Sequence, residues 1–288
     1  MPQANVNGIK LYYIDAGSGE PIVFVHEFAG DYRSWDPQVR YFSRRYRCIA
    51  YNARGYPPSE VPGNVSAYSQ DHATDDIAGV MRFLDIPRAH IVGLSMGGFA
   101  ALHFGLRYPD LALSIVSAGV GYGALPANHE QFAAEARAMA ARVESENMNS
   151  VANDYASSPY RLPYKRKDPR GWQDFANQLA HHSTQGSALT LRGYQARRPA
   201  FTEFEDKLKA MTVPTLIVAG DEDEPSLEPS LYLKRTIPSA ALYVLPKTGH
   251  AINLEEPALF NAAVQDFIDT VKAGRWEVRA LAARTKIL

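Results

Sequence analysis

With 288 residues, 46% of them hydrophobic and 21% charged, the chain is long enough for one sizeable core or a core carrying an inserted subdomain. A net charge of -1 argues against a nucleic-acid binder, and the densest basic patch, 161–170, is interrupted by Pro163, Asp168 and Pro169 and reads as a solvated face. The single cysteine, Cys48, excludes an intrachain disulfide, and no run approaches the roughly 18 apolar residues of a membrane span.

Cys48 is expected half-buried on a strand in a reducing compartment, and residues 1–5 lack signal-peptide character, so the expected location is the cytoplasm. The expected partner is a small-molecule substrate, with no nucleic acid or membrane, and the chain a monomer or homodimer. The histidines show no metal spacing: His26-Glu27 lacks a second histidine one helical turn on, and His181 and His182 are adjacent and point apart. No metal is implied.

Apolar runs alternate with helix-length periodic segments. Strands are expected at 10–14, 21–26, 47–52, 90–94, 113–118, 215–219 and 241–245, and helices near 35–42, 71–84, 97–108, 228–236 and 257–271. Near-continuous apolar strands such as Ile22-Val23-Phe24-Val25 suit a parallel sheet covered on both faces, so the fold class is doubly wound α/β. The period breaks between about 122 and 204, too long a stretch for a bare connection, and its Ala-rich opening and the segment 172–179 read as helices. This divides the chain into a first core part at 1–121, a helical cap at 122–204 and a second core part at 205–288.

Ser95 sits in Gly93-Leu94-Ser95-Met96-Gly97, a Gly-x-Ser-x-Gly run between an expected strand and an expected helix. A serine on so sharp a turn projects its Oγ clear of the sheet, and the flanking glycines let neighbouring backbone pass close. Acidic residues and a histidine follow in the chain order such a nucleophile requires. His72, His90, His103 and His129 read as packed or partly exposed residues.

Together with Phe24-Val25-His26-Glu27-Phe28, Asn52-Ala53-Arg54-Gly55-Tyr56, Gly220-Asp221-Glu222-Asp223 and Lys247-Thr248-Gly249-His250, this run makes the chain similar, over essentially its whole length, to the α/β-hydrolase-fold serine hydrolases. The resemblance implies a mostly parallel eight-stranded sheet, with the cap inserted after the sixth strand. In that family a carboxylate follows the sixth or the seventh strand. The turn 117–123 holds no acid, so the choice falls in 221–224, and the family offset of three residues from Gly220 selects Asp223 over Asp221. The resemblance makes Ser95, Asp223 and His250 the catalytic residues, with the backbone N–H groups of Met96 and Phe28 as the oxyanion hole, and no cofactor.

Two residues depart from the family pattern. Pro57 replaces a glycine in a structural loop, and Glu27 replaces the glycine after His26, beside the expected oxyanion hole. A carboxylate there would oppose the charge of the intermediate, so Glu27 is expected to turn away or pair with a cation, Arg54 and Arg33 being the candidates. Asn253 and Glu256 are read as caps of the last helix.

A serine at the elbow disfavours the dehalogenases and epoxide hydrolases of this fold, which carry aspartate there. Segment 249–257 resembles the esterase and enol-lactonase branch; carbon-carbon hydrolysis, cofactor-free perhydrolysis and non-enzymatic ligand reception are the alternatives. In the cap, Arg192, Arg197 and Arg198 are read as surface residues, with anchoring of a substrate carboxylate as their functional alternative; His181 and His182 are read in the same way, with lining of the cleft as theirs.

Overall fold

The computed structural model describes residues 2–280. Eight strands form one sheet: β1 (Gln3–Val6), β2 (Ile9–Ala16), β3 (Pro21–Val25), β4 (Arg47–Tyr51), β5 (Ala89–Leu94), β6 (Ala112–Ala118), β7 (Thr215–Gly220) and β8 (Ala240–Leu245). Their spatial order is β1-β2-β4-β3-β5-β6-β7-β8. The pairs β1–β2 and β2–β4 are antiparallel, and the pairs from β4–β3 onward are parallel. β1 has no counterpart among the strands expected from apolar runs. It pairs Val6 with Ile9 around Asn7-Gly8, both at positive φ, the two-residue hairpin turn that Asn-Gly favours.

The period-2 alternation of each strand divides its side chains between two cores. Ile22, Phe24, Cys48, Ala50, Val92 and Leu94 pack with α1 (Asp36–Phe42) and α12 (Pro257–Lys272) on one face. Val23, Val25, Ile49, Tyr51 and Ile91 pack with α2 (Gln70–Phe83) and α3 (Met96–Arg107) on the other. Cys48 is therefore fully buried rather than half-buried, because a parallel strand inside the sheet is covered on both sides; burial pushes its thiol up to about 12.

Between β6 and β7 run α4 (Pro126–Glu146), α5 (Met148–Ala156), α6 (Leu162–Lys167), α7 (Pro169–Ala180), α8 (Thr184–Gly193) and α9 (Glu205–Lys209). In α7 the buried residues Trp172, Phe175, Ala176 and Leu179 recur at i, i+3, i+4 and i+7, a stripe that must find a partner surface. It packs with Val143, Met148, Val151 and Leu191 into a third apolar cluster, which also takes in Phe28, Tyr56 and Met96. The helical segment thus rests on the end of the sheet that carries Ser95. After β7 come α10 (Glu224–Thr236), and after β8 α11 (Ile252–Glu255), which leads into α12. Among the described residues no helix is long and apolar enough to cross a membrane.

Candidate active site

The backbone at Ser95 has φ 52° and ψ -115°, a strained conformation for a residue with a side chain, at the junction of β5 and α3. Its N–H donates to Ala118 O of β6 at 2.7 Å. The flanking glycines are sterically required: a Cβ on Gly93 would lie 2.1 Å from Gly97 O, and one on Gly97 would lie 2.0 Å from Val25 O. The turn is held so tightly against β3 that no larger residue fits at either position.

Asp223 follows β7 and His250 follows β8. His250 Nδ1 donates to Asp223 Oδ2 at 2.8 Å, and the His250 backbone N–H donates to Tyr160 O at 2.8 Å, fixing the loop under the helical segment. Asp221 is exposed and accepts instead from the Thr248 backbone N–H at 3.1 Å. Ser95, Asp223 and His250 line one cleft, walled by Phe99, Tyr155 and Tyr160.

Met96 N–H, at the first position of α3, has no intrahelical acceptor by geometry. Among the described residues neither it nor Phe28 N–H has a hydrogen-bond acceptor. Both residues are anchored from the other side. Tyr56 Oη donates to Phe28 O at 3.0 Å, and Tyr194 Oη donates to Met96 O at 2.8 Å. Tyr56 and Tyr194 are both buried; Tyr56 lies in the Asn52–Tyr56 motif, though with no role read for it, and no local sequence signal marks Tyr194.

Glu27 is paired, but with neither expected cation. Arg54 is bound to Asp76 at 2.8 Å, and Arg33 forks onto Asp31, its own near neighbour. The partner is Arg161, 134 residues away, whose Nη1 donates to Glu27 Oε1 at 3.0 Å and whose Nη2 donates to Oε2. Both side chains are buried. Burial opposes ionisation of Glu27, and the facing guanidinium overrides it, holding the carboxyl below its ordinary value. Arg161 thus leaves the basic patch that reads as a solvated face: a single turn of 3₁₀ helix, Pro159–Arg161, directs it inward between Tyr155 and Phe175, 5.3 and 5.2 Å from their ring centres.

His26 accepts from Ala53 N–H through Nε2 at 3.0 Å and donates through Nδ1 to Glu27 O at 2.7 Å, which defines a neutral ring. Burial pulls its pKa down to about 4. His181 is exposed, and His182 packs against Tyr56 rather than in the cleft. Arg192 pairs with Glu144 at the surface, and Arg197 is exposed at its backbone turn, but Arg198 is buried and lines the cleft. Glu256 does occupy the N-cap position of α12, but neither it nor Asn253 caps the helix through its side chain. Asn253 donates to Ser34 O at 2.8 Å, tying α11 to the turn after β3, and Glu256 pairs with Lys167 at 2.5 Å, because α12 begins at Pro257 with no side-chain cap.

Residues 20–257 match the family described as the alpha/beta hydrolase fold. The chain is 27% identical over 266 residues to 3-oxoadipate enol-lactonase 2 of Acinetobacter baylyi, covering 89% of this chain and 92% of that one. Among solved structures it is similar to the enol-lactonase from Burkholderia xenovorans LB400, with a TM-score of 0.80, 25% identity and coverage of 93% of this chain and 100% of the other. It is also similar to a thermophilic esterase from Thermogutta terrifontis, with a TM-score of 0.82, 26% identity and coverage of 94% and 98%. The order of the strands, the strained serine after the fifth and the hydrolases to which it is similar agree: the chain is an enzyme of the α/β-hydrolase-fold family.

Proposed function

We propose that the enzyme cleaves a small carboxylic ester or lactone through an acyl-enzyme formed on Ser95. The observation that carries this reading is the serine on its strained elbow opening into the same cleft as the Asp223–His250 pair. In this reading His250 takes the Ser95 proton as Oγ attacks the carbonyl carbon, and Asp223 holds the tautomer and stabilises the imidazolium. Phe28 and Met96 donate their N–H groups to the oxyanion. His250 then returns the proton to the leaving alkoxide, and water, deprotonated by the same ring, releases the acid. The segment 122–204 is the cap of the cleft, and the similarity to enol-lactonases and an esterase supports ester-type bonds as the target.

Hydrolysis of 4-nitrophenyl butyrate and of a lactone panel, with stoichiometric loss of activity on labelling by a fluorophosphonate, tests the reading. No turnover on the panel, with no label on Ser95, would favour a binding protein on the same fold.

A further inference from the structure

Among the described residues Arg198 is a buried cation without a counter-ion. It is 5% exposed, and among the described residues no carboxylate pairs with it. Its Nη1 donates to Gln195 Oε1 at 2.8 Å and its Nη2 to Tyr122 O at 2.6 Å, two neutral acceptors that satisfy protons and cancel no charge. The guanidinium lies 3.6 Å from the ring centre of Phe99, one helical turn beyond Ser95, and 4.7 Å from that of Phe132. These rings fix its position and offset part of the desolvation cost. Burial still pulls its pKa down to about 10, the expected response of a cation lacking an anion.

Arg198 lines the cleft that holds Ser95 and His250. So does Ser226, whose buried hydroxyl has no hydrogen-bond partner. The other arginine of the cleft, Arg161, has its charge met by Glu27. A buried unpaired charge is strongly unfavourable, so a site that keeps one is organised for an anion that arrives with the ligand. A planar guanidinium with unused N–H groups, in the same cleft as a free hydroxyl, suits a carboxylate, and one uncompensated positive charge suits a monoanion.

We infer that Arg198 recognises a carboxylate on the substrate, with Ser226 as a second donor, so that the substrate is an ester or lactone carrying a further ionised carboxyl group. This rests on the hydrolase reading above, and two kinds of measurement separate the failures.

The first compares turnover of mono(4-nitrophenyl) glutarate with that of the neutral 4-nitrophenyl butyrate by the wild type, Arg198→Gln, Arg198→Lys and the surface control Arg192→Gln. The wild type should prefer the glutarate ester, and Arg198→Gln should lose about 10- to 100-fold in kcat/KM on it, the usual cost of a hydrogen bond to a charged group, while staying within about threefold on the butyrate. Arg192→Gln should change neither. The second is calorimetric titration of the wild type with glutarate, neutral glutaramide and inorganic phosphate, which needs no turnover and no folded variant. Glutarate should bind about tenfold more tightly than glutaramide or phosphate.

Equal losses on both esters in Arg198→Gln, or no preference of the wild type for glutarate over glutaramide, would overturn the assignment. Phosphate binding as tightly as glutarate would overturn carboxylate selectivity. Turnover of neither ester alongside selective glutarate binding would overturn the hydrolase reading and leave the anion site standing. If Arg198→Gln does not fold, the calorimetry and Arg198→Lys, which keeps the charge and should keep the preference for the glutarate ester, decide.

Discussion

The Glu27 carboxylate lies 4.0 Å from Nε2 of His250, while Asp223 holds the opposite ring nitrogen at 2.8 Å. In the proposed mechanism a second carboxylate so near His250 would repel a developing oxyanion, and Arg161 cancels its charge from the helical segment. The pair therefore joins two tasks. It keeps the field of the site nearly neutral at that edge, and it ties residue 161 of the helical segment to the loop after β3.

Glu27→Gln should keep ester hydrolysis within about fivefold, equivalent to about 1 kcal/mol of barrier. It should also lower stability by about 3 kcal/mol, because Arg161 is left buried with half its partner. The double variant Glu27→Leu/Arg161→Met should recover most of that stability. Chemical denaturation alongside initial rates checks both, and a loss of rate comparable to that of His250→Ala would place Glu27 in the chemistry.

Ser95→Ala should remain folded with a melting temperature close to wild type, since the strain at φ 52° belongs to the backbone and survives the substitution. Its kcat should fall by about 10³-fold or more, the residual rate coming from binding and the oxyanion hole. Near-normal turnover would remove Ser95 as nucleophile.

Asp223→Asn should lose about 10⁴ in kcat through the wrong histidine tautomer. Asp221→Asn keeps an amide oxygen that can accept from the Thr248 N–H and removes only an exposed charge, so it should cost at most about 1 kcal/mol of stability with activity retained. Parallel kinetics on the two variants rank the carboxylates directly.

Tyr194→Phe deletes the hydroxyl that holds Met96 O while leaving the packed ring. The Met96 N–H, the oxyanion donor of the proposed mechanism, should then wander, lowering kcat about tenfold, or about 1.4 kcal/mol, with KM nearly unchanged. A change confined to KM would assign Tyr194 to substrate binding instead.

His26 gives a pH dependence of stability. Its pKa is lowered to about 4 by burial from 6.5, so between those values the unfolded chain binds a proton that the folded chain does not. Stability should fall as pH drops through that window, by up to about 1.4 kcal/mol per pH unit for this residue, and level off in its contribution below pH 4. His26→Gln, which can still accept from Ala53 N–H, should flatten the slope of unfolding free energy between pH 6.5 and 4 by about one proton.

The strands, the doubly wound sheet and the elbow at Ser95 were legible in the sequence because each rests on local chemistry: apolar runs, helical periods and glycines where backbone passes backbone. β1 was not among the expected strands, because its short alternating stretch carries little apolar signal; its pairing with β2 across Asn7-Gly8 emerges only in the fold. Nor was the partner of Glu27 legible. Arg161 lies in a charged stretch that reads as surface, and only the packing of the helical segment onto the sheet brings it across 134 residues into a buried pair. The same holds for Arg198, indistinguishable in sequence from Arg192 and Arg197 until the chain turn at 195–197 places one inside and the others out. Local order follows from spacing along the chain, whereas the burial of a charge depends on what covers it, and that is decided by tertiary contact alone.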